Sequence, residues 1–217
     1  AENSVANYNQ TLLSLPASLN MDYIQHLQCV ESKGAFDYWD QVELIQHGQV
    51  FRFAAAAGYQ LVAFSSGHSL TEITNVDHYL APPVEQSQVK TSSIDILGAS
   101  LQLSGSEFTF LDSTLLQPIL PLVVNREAED PRYQARRERI DYTFAHLADF
   151  AQDDQPQLIF AHILAPHPPF VFHANGQPIE HWRPFSIVDG SHWIGSVGTR
   201  SDYISGYRDQ LLYVNQR

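Results

Sequence analysis

Apolar positions recur at helical spacing in four stretches of the chain and run together in two others. Leu12, Leu15, Leu19, Tyr23 and Leu27 predict a helix over 11–27, with Pro16 tolerated in its first turns or marking a break. Val50, Phe53, Ala54 and Ala57 line one face of a predicted helix over 42–57, and Gly58 is its stop signal. YQLVAFSSG, 59–67, reads as a buried strand that ends in a loop. Residues 133–151 form the clearest helix, with Ile140, Phe144, Leu147, Ala148 and Ala151 as one apolar stripe. LIFAHIL, 158–164, is a near-continuous apolar run of the kind buried on both faces of a parallel sheet. Residues 174–200 read as irregular. A last helix is expected over 202–217, with Tyr203, Tyr207, Leu211 and Val214 on one side and Ser201 or Asp202 as N-cap.

The middle of the chain is patterned differently. PPVEQSQ, from Pro82, is linker-like, and IDILGASLQL and SEFTFL read as strands. LDSTLLQPILPLVV is apolar but broken by Pro118 and Pro121. We expect 82–130 to be a peripheral insertion or a cap over the main sheet. The alternation of helix, glycine and strand elsewhere predicts an α/β architecture with a mostly parallel sheet.

Composition narrows the function classes. The 217 residues are 44% hydrophobic, enough for one domain with a sizeable core or for part of a larger one. Charged residues are 17%, below the usual ~25%, and disorder is not expected. A net charge of −12 excludes a general nucleic-acid or anionic-membrane footprint. The basic cluster RRER, 136–139, is expected on a solvated helix face. A single cysteine, Cys29, excludes an intramolecular disulfide and a Cys-rich metal site. No stretch approaches the ~20 apolar residues of a membrane span. The start, AENSVANYNQ, has neither the pattern of a signal peptide nor an initiator Met, as expected of an excised segment or a mature fragment.

Candidate chemistry gathers at three places. FAHILAPHPPFVFH, 160–173, follows a predicted strand, and ligands of open α/β sheets bind beyond the carboxyl ends of strands. Its prolines stiffen the loop and can hold the imidazole of His167 in a fixed place; the plainer reading is a turn residue. His162, inside the predicted strand, is expected to be a satisfied core histidine, and His173 an exposed one. The three do not make a metal triad, because they lack the spacing of HExxH and a nearby carboxylate. Thr11, at a predicted helix start, is either a capping residue or a hydroxyl nucleophile beside the helix dipole. SDYISGYRDQLLYVNQR reads as an amphipathic helix with a tyrosine face. A non-catalytic carbohydrate- or protein-binding module is the rival reading, with Trp182, Trp193 and nearby tyrosines as a stacking platform.

Three motifs, in order, resemble the sulfatase-like enzymes of the alkaline phosphatase superfamily, closest to the membrane-anchored branch of lipoteichoic acid synthases and phosphoethanolamine transferases. Thr11-Leu12-Leu13-Ser14-Leu15-Pro16 is similar to that branch's Thr-x-x-Ser-Leu/Val-Pro. Ala165-Pro166-His167-Pro168-Pro169-Phe170 resembles the family's x-x-His-x-Pro-(Phe/Tyr) segment. Tyr207 to Asn215 resembles the helix that follows it, with no catalytic residue to assign there. Only about 25 residues carry the likeness closely. It implies a three-layer α/β/α sandwich, a Thr11 nucleophile that is also a ligand to a divalent metal (Zn, Mn, Mg or Ca), and His167 as the residue that contacts the substrate's phosphate or sulfate. It implies a phosphate- or sulfate-ester substrate, lipid- or glycan-linked esters included, and an extracytoplasmic place in a membrane-anchored bacterial parent. Leu15 stands where sulfatases carry the motif Arg, and the nucleophile is Thr, so activation to formylglycine is not expected. The family's acidic metal ligand would precede Thr11, and its Asp-His-Gly would follow the last helix. Asp77-His78 is out of that order. The expectation is therefore a partial catalytic domain over 1–217, incomplete at both ends, whose remaining ligands lie outside it and which is inactive alone.

Overall fold

The computed structural model describes residues 5–27, 38–83, 92–96, 99–103, 129–152, 155–181, 183, 185–187 and 190–217. Its elements are α1 (Thr11–Leu19), α2 (Tyr38–Gln46), α3 (Gln49–Ala56), β1 (Gln60–Phe64), β2 (His78–Leu80), β3 (Ser92–Ile96), β4 (Ala99–Leu103), α4 (Pro131–His146), a 3-10 helix (Leu147–Gln152), β5 (Gln157–Phe160), α5 (Gly190–Ser196) and α6 (Arg200–Val214). The chain is mixed α/β, and β2, β1 and β5 form an all-parallel sheet in that order. It divides into two compact units. One is Ala1–Ala81 with Ala145–His162, the other Pro82–Phe144 with Ile163–Arg217.

The first unit holds the sheet. Its join of α3 to β1 follows from Gly58, whose φ of +82° suits glycine. Gly58 N–H bonds to Ala55 O and Tyr59 N–H to Ala54 O, the paired bonds of a Schellman motif. The chain then enters β1, which pairs Val62 with Ile159 and with His78. Ala63 packs with Val42, Ile45, Phe51, Leu70 and Ile73, and Leu12, Leu15 and Leu19 of α1 add to that cluster. Phe64, one residue on and pointing to the opposite face, meets Phe150 edge-on at 6.2 Å. Burying a side chain of that size stabilises by roughly 1.5–3 kcal/mol.

Three expectations in this unit need correction. The helix from Thr11 stops at Leu19 instead of reaching 27. Asn20 ends it: Nδ2 donates to Pro16 O at 2.8 Å and to Leu44 O at 2.7 Å, and Met21 turns left-handed at φ +56°. The helix over 42–57 is two helices, because Gly48 N-caps a restart. A Cβ there would lie 2.9 Å from both Leu19 Cβ and Leu19 O, so only glycine admits α1 this closely. The restart changes the phase: Phe51 and Ala54 are buried, and Phe53 is 70% exposed. Finally, LIFAHIL is strand only through Phe160, β1 rather than β5 is central, and β5 is half-buried.

In the second unit, the stretch IDILGASLQL is not one strand: β3, from Ser92, and β4 pair antiparallel. SEFTFL, LDSTLLQPILPLVV and the rest of PPVEQSQ beyond Pro83 lie outside the described residues. The buried stripe of α4 is Tyr133, Arg136, Ile140 and Thr143, a turn earlier than the pattern of Ile140, Phe144, Leu147 and Ala148 predicts. Leu147 and Ala148 are exposed and belong to the 3-10 helix. The expectation of a solvated RRER face fails with it: Arg136 is 2% exposed, and Arg137 is held by Glu129 and the Ile179 carbonyl. A buried arginine there is tolerated because acceptors meet it. Tyr133, Ile140, Val171, Phe172 and Tyr213 form this unit's core. The segment read as irregular contains the short α5. The cap of α6 lies two residues before Ser201 and three before Asp202. Thr199 is the N-cap, and Asp202 is its partner in a capping box. Its buried face is Gln210 and Tyr213, while Tyr207 and Leu211 are exposed. Gly206 is on the buried side because the Phe170 ring occupies the space of a Cβ. No helix of the described residues is long and apolar enough to cross a membrane.

Candidate functional site

Thr11 is the first residue of α1, not its cap. Gln10 takes the N-cap position in extended conformation and makes no side-chain cap hydrogen bond. The N–H groups of Leu13 and Ser14 turn back to Gln10 O at 3.1 and 2.8 Å. Those of Thr11 and Leu12, and the Thr11 hydroxyl, have no hydrogen-bond partner among the described residues. The side chain is exposed. Free amides at a helix start favour an anion. Ser14 Oγ is spent, donating to Asn7 Oδ1 at 2.5 Å. A shallow groove of about 260 Å³ beside α1 is lined by Asn7, Ala17, Met21, Asp22 and Tyr23, not by Thr11.

His167 belongs to the other unit and is half-buried. Both neighbouring bonds, Ala165–Pro166 and Pro168–Pro169, are cis. Its Nδ1 lies 2.6 Å from Pro168 O. A carbonyl only accepts, so Nδ1 carries the proton and donates. In the neutral ring Nε2 then keeps its lone pair. Within this unit the loop is gripped through its carbonyls. Arg136 Nη2 donates to Leu164 O and, at 2.8 Å, to His167 O. Gln210 Nε2 donates to His167 O at 3.2 Å. His181 stacks on Tyr133 with ring centroids 4.0 Å apart and donates from Nε2 to Phe170 O at 2.8 Å. Burial lowers the pKa of His181. Burial holds Arg136 down to about 10, still charged at neutral pH.

Sequence reasoning missed Arg136 and Gln210. A signal was present: Arg136 sits three residues after Tyr133 and four before Ile140, and Gln210 sits four after Gly206 and three before Tyr213. Both are polar residues at core positions, and a buried polar group must have partners.

The other histidines resolve differently. His162 lies beyond the end of β5, not inside it. Its Nδ1 is 2.8 Å from Thr71 Oγ1, which donates to Ser66 Oγ at 3.0 Å. Ser66 Oγ is 3.3 Å from Glu72 Oε2, which also accepts the Gly67 N–H at 2.8 Å. His162 is thus a satisfied histidine in a polar network past the carboxyl end of β1. His173 is exposed, as expected. Asp77 accepts the Leu61 N–H at 2.8 Å and so ties the sheet. Among the described residues no three His, Cys, Asp or Glu side chains are placed to hold a metal ion. Thr11, with its hydroxyl free, fits one ligand position of such an ion. Trp193 is 8% exposed, wedged between Phe170 and Tyr203 at 5.3 and 5.5 Å, and offers no stacking face. Trp182 lies outside the described residues. No family model, no curated protein and no solved structure matches this chain.

Proposed function

We propose that the chain is part of a sulfatase-like enzyme of the alkaline phosphatase superfamily, in a three-layer α/β/α fold, that hydrolyses or transfers phosphate or sulfate esters. The observation that carries this is Thr11: an exposed hydroxyl at the first position of a helix, released from capping by Gln10. Thr11 Oγ attacks phosphorus or sulfur in line. The hydroxyl loses its proton, the bond from Oγ to phosphorus or sulfur forms as the bond to the leaving alkoxide breaks, and water or an acceptor alcohol later displaces Thr11 Oγ. In its imidazolium form, with Nδ1–H on Pro168, His167 donates from Nε2–H to the ester's non-bridging oxygens or supplies the leaving group's proton from there. A bound divalent ion, with Thr11 among its ligands and others contributed from outside this chain, supplies a lower pKa for the hydroxyl and a counter-charge for the transferred group. The parent is membrane-anchored, with this part outside the cytoplasmic membrane.

The test is the full-length protein assayed on phosphodiesters and sulfate esters with added Mn or Zn. Thr11→Ala is expected to lower turnover by about 10³-fold or more. Peptide mass spectrometry of quenched wild-type enzyme should find the added phosphate or sulfate on Thr11. Unchanged turnover in the variant removes Thr11 as nucleophile.

A further inference from the structure

Pro166, Pro168 and Pro169 have no amide N–H, so at these positions the loop can be gripped only through carbonyl oxygens. That calls for donors. Arg136 on α4 reaches two carbonyls, of Leu164 and His167. Gln210 on α6 reaches the same His167 carbonyl with Nε2, while its Oε1 accepts the Val171 N–H at 2.8 Å. Both lone pairs of the His167 carbonyl are thereby taken, by side chains 2% and 0% exposed. The ring is fixed separately, through Nδ1 on Pro168 O.

Arg136 is unusual in a second respect. Buried guanidinium groups are ordinarily matched by a carboxylate. Among the described residues Arg136 bonds to carbonyls alone, and its Nε is buried without a partner. Its neighbours on α4 are matched: Arg132 pairs with Asp130 at 2.6 Å and Arg137 with Glu129. Among the described residues, then, no carboxylate matches this positive charge, which lies one hydrogen bond from the His167 backbone.

We infer that Arg136 and Gln210 are the positioning residues of His167, holding its imidazole with Nδ1–H on Pro168 so that the Nε2–H of its imidazolium form donates to a tetrahedral oxyanion, phosphate or sulfate, and that the charge of Arg136 favours this anion. The inference rests on the assignment of His167 to the substrate made above. Neither residue touches the substrate; both act through the loop.

Long-range ¹H–¹⁵N spectra of the imidazoles test it, with inorganic phosphate and then sulfate as probes. Wild-type His167 should show the Nδ1–H tautomer without anion and, with either anion, the imidazolium that carries protons on both Nδ1 and Nε2. Arg136→Lys and Gln210→Met each leave one donor on the His167 carbonyl, which keeps the loop folded. Each should shift His167 toward the Nε2–H form and weaken anion binding, by about 10-fold for Gln210→Met and less for Arg136→Lys, which keeps the charge. Should Gln210→Met not fold, Gln210→Glu replaces the donor with an acceptor at constant shape and should show the same shift. Arg137→Met is the control on the same helix: it loses Glu129 and stability, but the His167 spectrum should not move. Folded Arg136 and Gln210 variants with the wild-type His167 spectrum overturn the clamp, as does an equal shift in Arg137→Met. A wild-type His167 that answers neither anion overturns the oxyanion assignment and the role given to His167 in catalysis, whatever the variants do.

Discussion

The helix start that carries Thr11 and the loop that carries His167 differ in where their backbone polar groups go. At Thr11 the amides of two residues are left open, and the helix is secured from its far end. Asn20 joins Pro16 O, Leu44 O and, through Oδ1, the Gln49 N–H at 3.1 Å, while Gly48 lets Leu19 settle against α3. At His167 only the ring's Nε2 is left for a substrate. Its carbonyl takes two donors, its ring takes the next carbonyl, and the donors themselves are buried. A residue that must bond to a substrate atom needs unspent valence and access. A residue that must stand at a set angle needs every other bond committed. The two regions meet these demands by leaving a helix end uncapped in one case and by removing amides with proline in the other.

The contrast can be broken in order of expected effect. Asn20→Ala removes three hydrogen bonds at a site 8% exposed and should cost about 2–4 kcal/mol in chemical denaturation. A loss below that would mean that α1 is not secured from its far end. An intermediate effect is expected of pH through His181. Its folded pKa lies below the ordinary value, so above ~6.5 the ring is neutral in both states and folding is not opposed. As pH falls through ~6.5 the unfolded chain binds a proton that the folded chain refuses, and stability is lost from there down to the folded pKa. Thermal melts from pH 8 to 5 should show this fall. His181→Gln, which keeps an amide donor for the Phe170 carbonyl, should flatten it; a fall of equal depth in that variant would remove His181 as its source. The smallest effect belongs to Thr11→Ala measured as stability. An exposed residue that does no capping should change unfolding free energy by less than about 0.5 kcal/mol. A loss near 1 kcal/mol, the usual worth of a cap, would show the hydroxyl to be spent after all.

Much of the fold is legible where a local rule suffices. The Gly58 stop, the strand after it and a helix near 133–146 all follow from glycine at positive φ and from period. The phases do not. Phe53 and Leu147 look like core residues in the pattern, yet both are exposed, because Gly48 restarts one helix and the other tightens into a 3-10 turn. Thr199, Ser201 and Asp202 all offer good capping side chains, and the extended backbone at Thr199 decides which one caps.

The candidate site divides the same way. Residue type and neighbourhood single out Thr11 and His167 without any coordinates, since a hydroxyl before an apolar helix and an imidazole among prolines are properties of the local chain. Arg136 and Gln210 could not be found so directly. Their partners lie 31 and 43 residues away at His167, and the pairing exists only once α4 and α6 pack against the loop. In composition an arginine in RRER is a surface charge. Packing makes it a buried donor, because the loop it meets has carbonyls to satisfy and three prolines that supply no amide donor.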